Sequence, residues 1–136
     1  LPFAALVRPT DMDDAVVASC QAWIAENYAV ENPVAAMVER SGLQARTFGR
    51  RFRAATGERP IDHVHAVRID EARHVLESSA LSVDEVGYAV GYDDPTFFRR
   101  LFKRRTGLTP AAYRRKFASI PVYGRPAEAR AGAVSR

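Results

Sequence analysis

The chain has 136 residues, 47% of them hydrophobic and 26% charged, with a formal net charge of +4, and this composition excludes a disordered chain in favour of one packed soluble domain. Eight glycines and eight prolines, with no short period, exclude collagen-like or low-complexity sequence. The single cysteine, Cys20, cannot close an internal disulfide, and the apolar opening Leu1 to Val7, broken by Pro2, is far short of the ~20 residues that a membrane span needs.

No basic-then-apolar signal peptide is present, and no cluster of Cys and His has zinc-ligand spacing, so a reducing, cytoplasmic setting with neither metal nor cofactor is expected. His63 and His65 are two apart and point to different faces of a helix, and His74 is more than two turns away. The chain begins with Leu rather than Met. A fragment of a longer protein is therefore expected, with residues 1–10 as a linker or the remnant of a preceding domain.

The first predicted element is a helix from Asp11 to Tyr28, capped by Thr10 or Asp11, with Ala15, Ala18, Ala22, Ile24 and Ala25 among its apolar residues. Next, Asn32 can cap and Pro33 can open a short helix that ends at Gly42. The helix after it carries Phe48, Phe52 and Ala55 at i, i+4, i+7, an inward stripe. Arg46, Arg50 and Arg53 share that spacing but are displaced by two residues, about 200° around the helix, so they face away from the core. These two helices make a helix-turn-helix unit over about 33–57. From Pro60 to Ser79, Ile61, Val64, Ile69, Ala72, Val75 and Leu76 mark a long linker helix of about 28 Å, enough for a rigid arm to hold two reading helices near successive major grooves of B-DNA, ~34 Å apart.

A second unit is expected over about 82–107. Ser82 with Glu85 forms a capping box, Gly91 ends the first helix, and Asp94 caps a second helix opened by Pro95. Phe98 and Phe102 make its inner stripe, widened by Phe97 and Leu101, while Thr96, Arg100 and Lys103 lie opposite with Arg99 on the flank. Thr109-Pro110 opens a last helix to about Phe117, and residues 118–136 read as a flexible tail.

The two units are copies. A shift of fifty positions pairs Phe48 with Phe98, Arg50 with Arg100, Phe52 with Phe102, Thr56 with Thr106, Gly57 with Gly107 and Pro60 with Pro110. Upstream the shift is forty-nine, pairing Gly42 with Gly91, so one residue is inserted just after the glycine, where a turn can absorb it. Charge follows the same plan: residues 1–45 carry two Arg against six acids, while residues 46–136 carry 18 Lys and Arg against 10 acids. The cations gather in three acid-free runs, Arg46 to Arg53, Arg99 to Arg105 and Arg114 to Lys116, the electrostatic footprint of a polyanion partner.

The stretch Gly91-Tyr92-Asp93-Asp94-Pro95-Thr96-Phe97-Phe98-Arg99-Arg100-Leu101-Phe102-Lys103, continuing through Thr106-Gly107 to Thr109-Pro110, resembles the signature of the DNA-binding domain of the AraC/XylS family of bacterial transcription regulators. Arg46 to Arg53 and the linker's Arg68, Ala72 and Leu76 fit as well, and the match covers about residues 11–117. The resemblance implies an all-α fold of seven helices, with two helix-turn-helix units whose second helices enter adjacent major grooves of double-stranded DNA. Within the family the chain is most similar to the GlxA-like branch, in which this domain follows an amidotransferase-like sensor domain. Dimerisation is then expected through that preceding domain, and contact with RNA polymerase if the protein activates. The chain departs from the family at Gln44, where a capping Ser is usual, and at Val38, where a small Ala is usual; Gly87 holds the matching place in the second unit, so the helix approach is expected to differ between copies.

Carried over by motif position, the base-reading candidates are Ala45, Arg46, Gly49 and Arg50 in the first unit and Pro95, Thr96, Arg99 and Arg100 in the second. Arg50 and Arg100 lead, since a planar guanidinium can donate two hydrogen bonds to guanine O6 and N7. Arg53, Lys103 and Arg104 lie further along their helices and are assigned to phosphate. An enzyme is not expected, because Ser19, Ser41, Ser78, Ser79 and Ser82 lack a G-x-S-x-G setting and no paired carboxylates lie outside caps or solvated faces. The alternatives are a nonspecific nucleic-acid binder or a helical protein-interaction module. Buried aromatic stripes without exposed stacking platforms oppose single-strand or RNA readout.

Overall fold

The structure, a computed structural model, describes residues 9–119, which form seven α-helices and no strand. They are α1 (Pro9–Asn27), α2 (Pro33–Ser41), α3 (Ala45–Thr56), α4 (Pro60–Ser78), α5 (Val83–Ala89), α6 (Pro95–Thr106) and α7 (Pro110–Phe117). The expected all-α architecture is the observed one. Most of the anticipated remnant at 1–10 and tail at 118–136 lies outside the described residues. The helices form two compact units, the first running to Arg68 and the second starting at Ile69, so that α4 supplies side chains to both cores.

In the first unit α1 packs on α2 and α3 around Val17, Cys20, Ile24, Met37, Phe48, Phe52 and Val64, all buried. The inward face of α1 is thus Val17, Cys20 and Ile24, while Ala15, Ala18, Ala22 and Ala25, counted among its apolar residues, are exposed. Larger apolar side chains gain more from burial, at roughly 25 cal/mol per Å², so they set the face that turns inward. Cys20 is 3% exposed, its thiol reaches the Met37 carbonyl at 3.7 Å, and burial pushes its pKa up while Arg40 pulls it down. It is a small core residue. The helix begins at Pro9, so Thr10 and Asp11 lie within it and not ahead of it.

In the second unit Ile69, Ala72 and Leu76 of α4 meet Val86 and Val90, Tyr92, Phe98, Leu101 and Phe102 of α6, and Tyr113 of α7, all buried. Phe97 corrects the predicted stripe, being 43% exposed: it sits in the first turn of α6, with the Tyr92 ring 5.7 Å away. The aromatic stacks of the units correspond. Phe52 meets His63 at 5.5 Å edge-on, and Phe102 meets Tyr113 at 5.5 Å edge-on, each at the helix that follows the unit. His63 is therefore a packed ring, paired with Glu58 Oε2 at 3.0 Å. Among the described residues no three His, Cys, Asp or Glu side chains converge as a metal site.

Each unit also carries one buried arginine that ties down a helix end. Arg68 donates from Nε to the Tyr28 carbonyl at 2.6 Å and from Nη2 to that of Val30 at 2.9 Å, just past the C-terminus of α1. Arg114 donates to the Leu76 carbonyl at 3.1 Å and the Ser79 carbonyl at 3.2 Å, at the C-terminus of α4. The last carbonyls of a helix lack intrahelical donors and carry its negative pole, so a forked cation suits them. This removes Arg114 from the predicted third basic run: its guanidinium is buried, and desolvation lowers its pKa. Arg115 and Lys116 remain exposed.

The helix ends follow the sequence signals with two corrections. Asn32 does not cap α2 through its side chain; it adopts a left-handed backbone, φ 53°, which a short polar side chain tolerates. Gly91, φ 112°, does not itself end a helix: α5 stops at Ala89, and the glycine turns the chain two residues later. The inserted residue of the second copy does lie in this turn, which runs over 90–94 against 42–44 in the first; the second extra position arises because α5 stops at Ala89, one residue before the counterpart of Ser41. Thr56-Gly57 and Thr106-Gly107 close α3 and α6 identically, each glycine at φ 85° with its N–H on the carbonyl of Arg53 or Lys103 at 2.8 Å. Each threonine hydroxyl returns to the preceding turn, onto Phe52 or Phe102 O, at 2.8 Å.

Gly87 is where α5 and α6 touch. A Cβ there would lie 2.8 Å from Phe98 Cδ2 and 3.0 Å from Cγ, against a ring that is fully buried and cannot swing aside. The different helix approach expected from Val38 and Gly87 thus has a physical basis. Gly87→Ala is expected to cost about 1–3 kcal/mol of stability, read as a lower denaturant midpoint in the purified chain.

Candidate nucleic-acid interface

Burial of Phe48 and Phe52 fixes the rotation of α3, and that of Phe98 and Phe102 fixes α6. With those stripes inward, Ala45, Arg46, Arg50 and Arg53 are exposed on α3, and Thr96, Arg99, Arg100, Lys103 and Arg104 are exposed on α6. Pro95 and Gly49 are half-buried. Every sequence-selected residue therefore lies on the second helix of its unit, and the cations all reach solvent.

The second unit gathers its set into one feature. An open concavity of about 710 Å³ is lined by Thr96, Arg99, Arg100, Lys103, Arg104 and Thr109. Of the selected α6 residues only Pro95 stands outside its lining. Thr109 was missed by sequence reasoning, which read it as a cap alone. It is one, accepting from the Ala112 amide at 3.1 Å, but the residue also lines the concavity.

Asp84 was missed as well. Its Oδ1 accepts from Arg99 Nη1 at 2.5 Å across fifteen residues of sequence, from α5 to α6. The carboxylate belongs to a capped first turn, and nothing in the sequence spacing connects it to Arg99. Among the described residues, no ion pair holds Arg46, Arg50, Arg53, Arg100, Lys103 or Arg104.

The two helix starts differ in quality. The Asp94 carboxylate accepts from the amides of Thr96 at 3.0 Å and Phe97 at 3.4 Å, and Pro95 follows at the first helical position. Gln44, at the start of α3, makes no side-chain cap bond, as its length leads one to expect. Gly49 differs from Gly87: a Cβ added there meets nothing within 4 Å. Packing within the protein gives no reason for a glycine that lowers helix propensity by about 1 kcal/mol.

Two helix-turn-helix units, each with a buried phenylalanine stripe and an exposed basic strip on its second helix, define a tandem helix-turn-helix protein. The helix-turn-helix domain family matches residues 37–116. The chain is 48% identical over 69 residues to the MmsAB operon regulatory protein of Pseudomonas aeruginosa, covering 51% of this chain and 22% of that protein. It is 36% identical over 93 residues to the transcriptional regulator GlxA of Rhizobium meliloti, covering 67% and 29%. The solved DNA-binding domain of AdpA, a global transcriptional factor in complex with a target DNA, matches at 37% identity and a TM-score of 0.70, over 74% of this chain and 90% of that one. The chain belongs to the helix-turn-helix domain family, of the AraC type. It spans from 22% to 42% of the length of the first curated relatives it matches.

Gln44→Ser is expected to raise stability by about 0.5–1 kcal/mol through a new bond to an α3 amide, read as a higher thermal midpoint. The Gln44 backbone, φ −71° and ψ 153°, is already that of a cap.

Proposed function

We propose that the chain binds double-stranded DNA in a sequence-specific manner and thereby regulates transcription. The observation that carries this is the exposed basic strip of α6 around its concavity, on the same fold as a domain solved with its target DNA. The family relatives, which are transcriptional regulators, support it. In this reading α3 and α6 each lie in a major groove, on adjacent turns of the duplex. Arg50 and Arg100 read base edges, with Arg46, Thr96, Arg99 and the first turns at Ala45 and Pro95 beside them. Arg53, Lys103 and Arg104 neutralise phosphates. Gly49 lets the α3 backbone approach the bases, which the empty space above it supports.

The likeness to GlxA over 93 residues supports a regulator of that branch, with ligand sensing and dimerisation in a further domain and with RNA polymerase as partner if it activates. Its place of action is the cytoplasm, where the operator is. Among the described residues no helix is long and apolar enough to cross a membrane.

Selection of bound duplexes from a random pool, followed by titration of the winner and of a scrambled duplex at two salt concentrations, tests the proposal. A preference of about a thousandfold or more is expected. Equal, salt-sensitive binding to both would make the chain a nonspecific binder. On the selected duplex, Arg100→Ala is expected to cost roughly 1–3 kcal/mol and to relax one or two base positions. Lys103→Ala should instead weaken all duplexes and reduce the salt slope by about one. Gly49→Ala, which meets no protein atom within 4 Å, is expected to keep the fold while weakening the selected duplex more than the scrambled one.

A further inference from the structure

Arg99 differs from the other selected cations in being held. Its Nη1 lies 2.5 Å from Asp84 Oδ1, and the two side chains are 46% and 50% exposed. A pair so exposed contributes only about 0–1 kcal/mol to stability, so folding alone gives little reason for it. An acid beside a phosphate-seeking surface also repels the partner. The pair forms beside a close approach of the two helices: one turn along α5 from Asp84, at Gly87, Phe98, the neighbour of Arg99, comes against the bare backbone. The equivalent positions of the first unit hold Ala35 for Asp84, Val38 for Gly87 and Gly49 for Arg99. Acid, helix-contact glycine and arginine are thus present together in one copy, and the other has none of them at the equivalent positions.

From this we infer that Asp84 is a positioning residue for recognition. It fixes the Arg99 guanidinium at the rim of the α6 concavity, so that the remaining N–H groups present a set fork to a base edge and do not roam along the phosphates. The inference rests on the DNA-binding reading above. Its consequence is that the second unit discriminates through a preorganised arginine, and the first through Arg50 beside an open backbone.

The test measures affinity of the chain and its variants for the selected and the scrambled duplex. Asp84→Ala should tighten binding to scrambled DNA, because a negative charge is gone, and yet lower the ratio of selected to scrambled affinity by roughly tenfold at the base that Arg99→Ala also relaxes. Asp84→Asn, whose amide oxygen still accepts from Arg99, should share the gain on scrambled DNA and keep most of the ratio. In an Arg99→Ala background, Asp84→Ala should leave the ratio unchanged. A rise of equal size on both duplexes in Asp84→Ala, with the ratio intact, overturns the positioning role and leaves Asp84 a repulsive charge. If the unaltered chain shows no preference between duplexes, the DNA-reading proposal fails and the positioning role with it.

Discussion

The pairs Phe48 with Phe52 and Phe98 with Phe102 are the constraint on which the rest depends. All four rings are at most 1% exposed, and each pair sits one helical turn apart. Burying two large aromatic side chains in a twelve-residue helix leaves it a single favourable rotation. Everything about the outward faces follows. A residue displaced by two positions from a buried phenylalanine has to face solvent, and at four of those six places the chain carries an arginine, Arg46, Arg50, Arg100 and Arg104, the other two being Ala54 and Thr96. The hydrophobic core thereby decides which cations are available for a partner.

Around that constraint the chain builds one unit twice and then differentiates the copies. Shared parts are the Thr-Gly closure of the second helix, the edge-on ring at the next helix, and a buried arginine on carbonyls at or just past the end of the helix before the unit. The differences concern the approach to a ligand. The second unit has a carboxylate cap on α6, a capping box on α5, close helix contact at Gly87 and a paired Arg99. The first has an uncapped α3 and an unfilled space above Gly49.

Most of the fold was legible in the sequence, because its signals are local. Periodic phenylalanines, Pro after a capping residue, and Thr-Gly pairs each act within one or two turns, and the repeat doubled the phenylalanine and Thr-Gly signals. What sequence reasoning missed depends on distant partners. Arg114 stands in a basic run and reads as surface charge; only packing of α7 on the end of α4 turns it inward. Phe97 reads as core because it flanks Phe98, yet it is 43% exposed in the first turn of α6. For α1 the sequence offered apolar residues without an inward face, and packing gives that face to Val17, Cys20 and Ile24. In the candidate site the α6 and α3 residues were identifiable from spacing and family likeness, whereas Asp84 and Thr109 join it only through tertiary contact.

If both outward faces act on one duplex, α3 and α6 occupy adjacent turns of DNA. Hydroxyl-radical footprinting of the chain on its selected duplex reads this directly. Two protected blocks about 10 base pairs apart on each strand are expected, with the block belonging to α6 fading in Arg100→Ala. Protection confined to a single turn, or spread evenly with no blocks, would contradict a two-unit reader.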